Sequence, residues 1–185
     1  MTETPDFQNC LIRYETPRLT LETLTRENMS PNYLHWVHDP EVTRYLEVRH
    51  TPQTQSDLEE FVDSTLVSGD KILFGIFLTQ KGQHIGNLKI GPIHPRYARA
   101  DIGLLLGDKD SWGKGYATEA IEGVCALSSR VLGLRRIQAS TYASNTGSIR
   151  VFEKAGFQHE GRLEAHWILN DQPEDHLIFG KVLSK

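Results

Sequence analysis

At 185 residues, 38% of them hydrophobic, the chain is long enough to bury one good core and leaves little room for a second domain beside it. A net charge of -4 with no run of Lys or Arg excludes a nucleic-acid binder driven by phosphate neutralisation, and two distant cysteines, Cys10 and Cys125, exclude a disulfide framework or a Cys-rich zinc site. Met1–Asp6 has neither a basic start nor an apolar stretch, and no apolar run approaches the roughly 20 residues that span a bilayer, so the expectation is a soluble, cytoplasmic protein with no membrane partner.

Met1–Asn9 reads as a loose segment, and residues 10–185 as the single domain. Arg18–Leu24 alternates apolar and polar residues, the pattern of a half-buried strand. Tyr33, Leu34, Trp36 and Val37 then fall at helical spacings, and Asp39-Pro40 stops that helix and opens another. Thr54–Asp57 supplies capping residues ahead of Leu58, Phe61, Val62, Thr65 and Leu66, which share one helical face up to Gly69. Ile72–Leu78, His84–Ile90 and Ala100–Leu106 are rich in Ile, Leu and Phe; Gln80-Lys81-Gly82 and Pro92–Arg96 between them read as turns, which predicts an antiparallel meander.

A helix over Ala117–Leu132 closes at Gly133, a strand follows over Arg136–Ser140, and a helix over Asn145–Ala155 stops at Gly156. Phe157–Ile168 and His176–Val182 complete the set as two strands. The order β, α, α, β, β, β, α, β, α, β, β predicts an α+β domain with a mixed, mostly antiparallel central sheet flanked by helices.

The segment richest in chemistry is Trp112-Gly113-Lys114-Gly115-Tyr116-Ala117-Thr118, a glycine turn between the Leu104-Leu105-Leu106 strand and a helix N-terminus. Free N–H groups at a helix start bind anions, and glycines let a phosphate approach the main chain. The spacing is not that of a Walker loop, and the third glycine of a dinucleotide fingerprint is missing.

This segment resembles the acyl-CoA loop of the GNAT N-acetyltransferase superfamily, with Trp112, Gly115 and Ala117 on the motif and Trp112 replacing the usual Gln or Arg. The longer string is similar to that of the branch containing the ribosomal-protein alanine N-acetyltransferases. Asn145–Phe157 resembles the superfamily's second motif, an Asn-x-x-Ser/Ala helix running into Tyr/Phe-Glu-Lys-x-Gly-Phe. The likeness implies the GNAT fold with a splayed cofactor-binding strand, acetyl-CoA as co-substrate and no metal. It also implies pantetheine beside Leu104–Leu106, pyrophosphate on Trp112–Thr118, and contacts from Asn145, Ser148 and Phe152.

The acceptor amine must lose a proton before it attacks the thioester. Asp101 and Glu160 are the preferred bases, with Glu164, His84 and His94 as other candidates and a water relay as the alternative. The position where many members carry an acidic Tyr is Phe152, which leaves Ser148 as the substitute donor to the leaving thiolate. Tyr142 reads equally as an acceptor-channel wall or a core aromatic; Trp36 and Trp167 read as core or pocket walls, and His35 with His38 lacks the carboxylate of a metal motif. The expected partner is an amine, either a protein N-terminus or a small molecule such as a polyamine, aminoglycoside or nucleotide-linked amino sugar, met by a monomer or homodimer. A non-catalytic acetyl-CoA-binding module is the reading from another class.

Overall fold

The computed structural model describes residues 7–184. Its strands are β1 (Arg13–Glu15), β2 (Leu19–Thr23), β3 (Ile72–Leu78), β4 (Gln83–His94), β5 (Arg99–Leu106), β6 (Arg136–Tyr142), β7 (Gln158–Leu169) and β8 (Gln172–Val182). The helices are α1 (Asn32–His38), α2 (Pro40–Thr43), α3 (Gln55–Leu66), α4 (Tyr116–Arg130) and α5 (Thr146–Lys154). One sheet runs β1-β2-β3-β4-β5-β6-β8-β7, antiparallel at every rung except the parallel β5–β6 pair. This is the mixed, mostly antiparallel sheet flanked by helices that the element order predicts.

Alternation along the strands divides the core between the two faces. On β3, Ile72, Phe74 and Ile76 join Ala120, Ile121, Val124 and Leu127 of α4, whereas Leu73 joins Trp36 of α1 and Leu58 and Val62 of α3. Ile121, Val124 and Leu127 are fully buried, and each contributes about 1.5–3 kcal/mol relative to exposure. The helix starts are set locally. Asp39 accepts the Glu41 N–H at 2.9 Å to begin α2, and Thr54 with Asp57 forms a capping box on α3.

Four boundaries differ from the sequence expectation. β1 adds a short, partly exposed strand that pairs with β2. Pro92 does not end its strand: a bulge between Ile90 and Ile93 carries β4 on to His94, with the Ile93 N–H donated to the Asp70 carbonyl at 2.7 Å. The last hairpin is longer than expected because Asn170 and Asp171, both at positive φ (51° and 60°), make a tight turn without glycine. Phe7 is buried and the Asn9 N–H binds the Leu66 carbonyl at 2.8 Å, so residues 7 and 9 are tied to the domain; Met1–Asp6 lies outside the described residues.

Candidate functional site

The parallel β5–β6 ladder begins at Arg99 opposite Arg136 and ends at Ile102 opposite Ala139. Both strands continue, to Leu106 and Tyr142, but they diverge. The other edge of β5 stays zipped to β4 as far as Gly86 opposite Leu106, and the Gly107 N–H reaches the Ile85 carbonyl at 3.0 Å. Hydrogen-bonding direction alternates along an antiparallel strand, so Gly103, Leu105 and Gly107 turn their backbone groups to β4 while Leu104 and Leu106 turn theirs to the opening. Trp112 closes one end of that edge by donating Nε1–H to the Leu106 carbonyl at 2.8 Å. Gly107 lies flat against Trp36, where an added Cβ would fall inside the indole ring.

The side chains of β5 divide as its backbone does: Leu104 and Leu106 pack toward α4, and Leu105 toward Trp36 and Phe77. Leu105 therefore meets the opening as a wall only, not as a hydrogen-bonding group.

The glycine loop sits at the head of this opening. Gly113 (φ 73°) and Gly115 (φ 81°) both adopt left-handed backbone, which L side chains resist. Gly115 is the N-cap of α4, and Glu119 is the first residue of that helix whose N–H finds a backbone acceptor, the Gly115 carbonyl at 3.1 Å. Ahead of it, the N–H groups of Gly113 through Thr118 have no backbone acceptor among the described residues. They lie at the positive end of a 15-residue helix, an arrangement that suits a phosphate.

Arg18, the residue before β2, braces the loop. Its Nη1 donates to the Lys114 carbonyl at 3.0 Å, its guanidinium lies 4.6 Å from the centroid of the Tyr116 ring, and its Nε donates to Glu119 at 2.6 Å. Arg18, Lys81 and Lys114 also border an open depression beside the loop, together with Asp108 and Tyr116.

In the second motif, the Asn145 side chain caps α5 by accepting the Ser148 N–H at 3.1 Å. Ser148 is half-buried, and its hydroxyl has no partner among the described residues. Phe152 is 6% exposed and packed against Phe157 and Phe179, ring centroids 5.6 and 5.5 Å away. It belongs to the core cluster against which Leu104 and Leu106 pack.

The expected bases are not gathered at the opening. Asp101 lies where β5 is still paired to β6 and meets Arg99 at 3.3 Å. Glu160 is held through both oxygens by Arg136, at the start of β6 and thus at the far end of the sheet; the guanidinium keeps its carboxyl below the usual range. His94 pairs with Arg99 at that same far end, and Glu164 is exposed in a bulge of β7. His84 is near enough but buried and occupied: its Nδ1 accepts the Ser30 N–H at 3.2 Å and its Nε2 faces the Asn87 Oδ1 at 2.8 Å. Burial pushes its pKa down.

Tyr142 ends β6 inside the opening. Its hydroxyl donates to Glu47 Oε1 at 2.7 Å and accepts from Arg49 Nη2 at 2.9 Å, while Tyr45 and Trp167 flank its ring. Trp167 in turn donates Nε1–H to His176 Nδ1 at 2.6 Å. Sequence reasoning named Tyr142 and Trp167 but missed Glu47, Arg49 and His176. For Glu47 and Arg49 the one local signal is Glu47-Val48-Arg49-His50, a mostly polar run directly after the helical pair.

Comparison with known proteins agrees with this geometry. Residues 18–158 match the family described as Acetyltransferase (GNAT) domain. The chain is 33% identical over 152 residues to an uncharacterised N-acetyltransferase, p20, of Bacillus licheniformis, covering 80% of this chain and 83% of that one. It superposes on spermidine N-acetyltransferase from Vibrio cholerae, solved with CoA and spermine, at a TM-score of 0.81 and 22% identity, covering 92% of this chain and 98% of that one. It superposes equally on RimL, the ribosomal L7/L12 alpha-N-protein acetyltransferase solved with CoA, at a TM-score of 0.83 and 18% identity, covering 93% and 98%. Among the described residues no helix is long and apolar enough to cross a membrane, and no three ligating side chains cluster as a metal site. By its family match and its p20 relative, the chain belongs to the GNAT family of acetyl-CoA-dependent N-acetyltransferases.

Proposed function

We propose that this protein transfers the acetyl group of acetyl-CoA to a primary amine by direct attack within a ternary complex. The observation that carries the reading is the β5–β6 ladder stopping at Ile102 and Ala139 with the unsatisfied N–H groups of Gly113–Thr118 at the head of the gap. Trp112, Gly113, Lys114, Gly115, Tyr116, Ala117 and Thr118 hold the pyrophosphate, and the backbone edge of Leu104, with the Leu106 N–H beside it, binds the pantetheine arm as an added strand would. The Leu104 N–H polarises the thioester carbonyl and stabilises negative charge on its oxygen. Ser148, whose hydroxyl is uncommitted and whose helix start is fixed by Asn145, supplies a proton to the departing sulfur.

For the acceptor, a protein N-terminal amine is the first reading, supported by the shared fold with the ribosomal-protein acetyltransferase; a polyamine is the second, supported by a comparable superposition on the spermidine enzyme. Calorimetry with acetyl-CoA, followed by thiol release with alanine-starting peptides, spermidine, aminoglycosides and nucleotide-linked amino sugars, tests both steps. Binding with no release across the panel would assign a non-catalytic module instead. Gly115→Val should abolish acetyl-CoA binding in a folded protein, because its φ of 81° disfavours any β-branched residue and the side chain would displace the phosphate from the backbone. Normal binding by that variant would overturn the phosphate assignment.

A further inference from the structure

The sheet face opposite α4 carries a polar cluster to which the acetyl-donor site gives no role. Ile102 and Ala139 make the last β5–β6 rung; Leu104 lies two residues beyond it on β5 and Tyr142 three beyond it on β6. At roughly 3.3 Å per residue, both stand within about 10 Å of the last rung, at nearly one level of the opening. Tyr142 fixes Glu47 there through the 2.7 Å hydroxyl bond to Oε1. Arg49 fixes Tyr142, and is itself tied to the Leu46 carbonyl at 3.0 Å and the Ile168 carbonyl at 3.4 Å.

Glu47 is thus held at one oxygen and open at the other. His50 Nε2 lies 4.0 Å from Oε2, beyond hydrogen-bonding distance, and the Glu47 side chain is 61% exposed. The titratable groups facing it are Arg49, 3.6 Å from Oε1, His50 and Tyr142, with His176 and His166 behind Trp167. Beside this carboxylate the Tyr45 and Tyr142 rings carry the Arg44 and Arg49 guanidiniums, 5.1 and 5.3 Å from their centroids.

We infer that Glu47 receives the acceptor as a primary ammonium and takes its proton, with Tyr142 and Arg49 as positioning residues; this rests on the acetyltransfer reading. Glu47 Oε2 removes one proton and passes it to bulk water, to which the exposed side chain has access. The freed lone pair forms the new N–C bond as the thioester C–S bond breaks. The second ammonium proton replaces the one that Ser148 gives to the sulfur, so the free thiol leaves and charge and atoms balance.

An alanine-starting peptide is the probe, because its α-amine has an ordinary pKa of about 7.7–8.0 and passes from ammonium to neutral between pH 7 and 9. Glu47→Gln should lower kcat/KM at pH 7 on the order of 100-fold, as loss of a general base does, with the deficit shrinking about tenfold by pH 9. Glu47→Asp should recover part of the loss, and Tyr142→Phe should give a smaller loss than Glu47→Gln. Acetyl-CoA affinity by calorimetry should be unchanged in all three. Wild-type kcat/KM in Glu47→Gln at pH 7, or a deficit that does not change with pH, would overturn the inference. A wild-type protein that neither binds acetyl-CoA nor releases thiol would instead overturn the acetyltransfer reading.

Discussion

Glu119, in the first turn of α4, accepts three hydrogen bonds from the β1–β2 turn and the residue that opens β2: Thr16 Oγ1 at 2.7 Å and the Arg18 N–H at 2.8 Å on one oxygen, and Arg18 Nε at 2.6 Å on the other. Since Arg18 also donates to the Lys114 carbonyl, the pair couples the first long strand to the phosphate loop across about a hundred residues of chain. The stability of the fold and the shape of the loop are therefore linked at one carboxylate.

Glu119→Ala should destabilise the protein by about 1–3 kcal/mol, the cost of leaving hydrogen-bonded partners of a half-sheltered charge unsatisfied. It should also weaken acetyl-CoA binding, since Arg18 loses its anchor. Burial raises the Glu119 pKa, and the bonds from Thr16 and Arg18 together overcome that and hold it below the ordinary 4.5. A depressed carboxylate pKa stabilises the fold above the unfolded value, and that contribution disappears as pH falls through the folded one. Thermal melts at pH 7 and at pH 3–4 should show the wild-type advantage over Glu119→Gln narrowing in acid. An advantage independent of pH would show that the carboxylate's charge is not what matters.

The glycine loop and the start of α5 were legible in the sequence because their determinants are local. Gly113 and Gly115 are required by backbone at positive φ, and Asn145 is required by a helix start three residues before Ser148. The Glu47–Tyr142–Arg49 cluster was not, because Glu47 and Tyr142 lie 95 positions apart and meet only through the packing of the 47–50 turn on β6. The same limit applies to Glu160: nothing local to it reveals that Arg136 occupies both of its oxygens. Pro92 misled for a different reason. A bulge with an outside partner, the Asp70 carbonyl, lets the strand pass a residue that normally ends one.

His84 yields a prediction of opposite origin, from a group that is kept neutral. Its ring lies 4.8 Å from Phe77 and 5.0 Å from Trp36, 5% exposed, and the hydrogen-bond network places its proton on Nε2. Burial lowers its folded pKa below the ordinary 6.5, so below that pH the unfolded chain binds a proton that the folded one refuses. Stability should fall as pH drops from 6.5 toward the folded value. His84→Phe should cost about 1–3 kcal/mol at pH 7 by stranding Asn87 and the Ser30 N–H. Chemical denaturation at pH 7.5 and 5.5 should show that penalty smaller at the lower pH. A penalty that grows in acid would mean that His84 is charged in the fold.

Ser148 tests the fate of the leaving sulfur. With Phe152 sealed in the core, no aromatic hydroxyl from α5 reaches the cleft, and Ser148 is the half-buried hydroxyl of the second motif without a partner among the described residues. A thiol has a pKa of about 8.5, so the thiolate leaves readily without help and the loss should be modest. Ser148→Ala should lower kcat on the order of tenfold, the lower end of acid–base effects, while the acetyl-CoA dissociation constant changes little. Asn145→Ala separates positioning from chemistry: it removes the cap, costs about 1 kcal/mol of stability, and keeps the hydroxyl. If Ser148 acts as the acid, its loss should reduce turnover more than loss of the cap does, with the larger fall in melting temperature in Asn145→Ala. Turnover unchanged in Ser148→Ala would remove the acid role and leave the thiolate to be protonated from water.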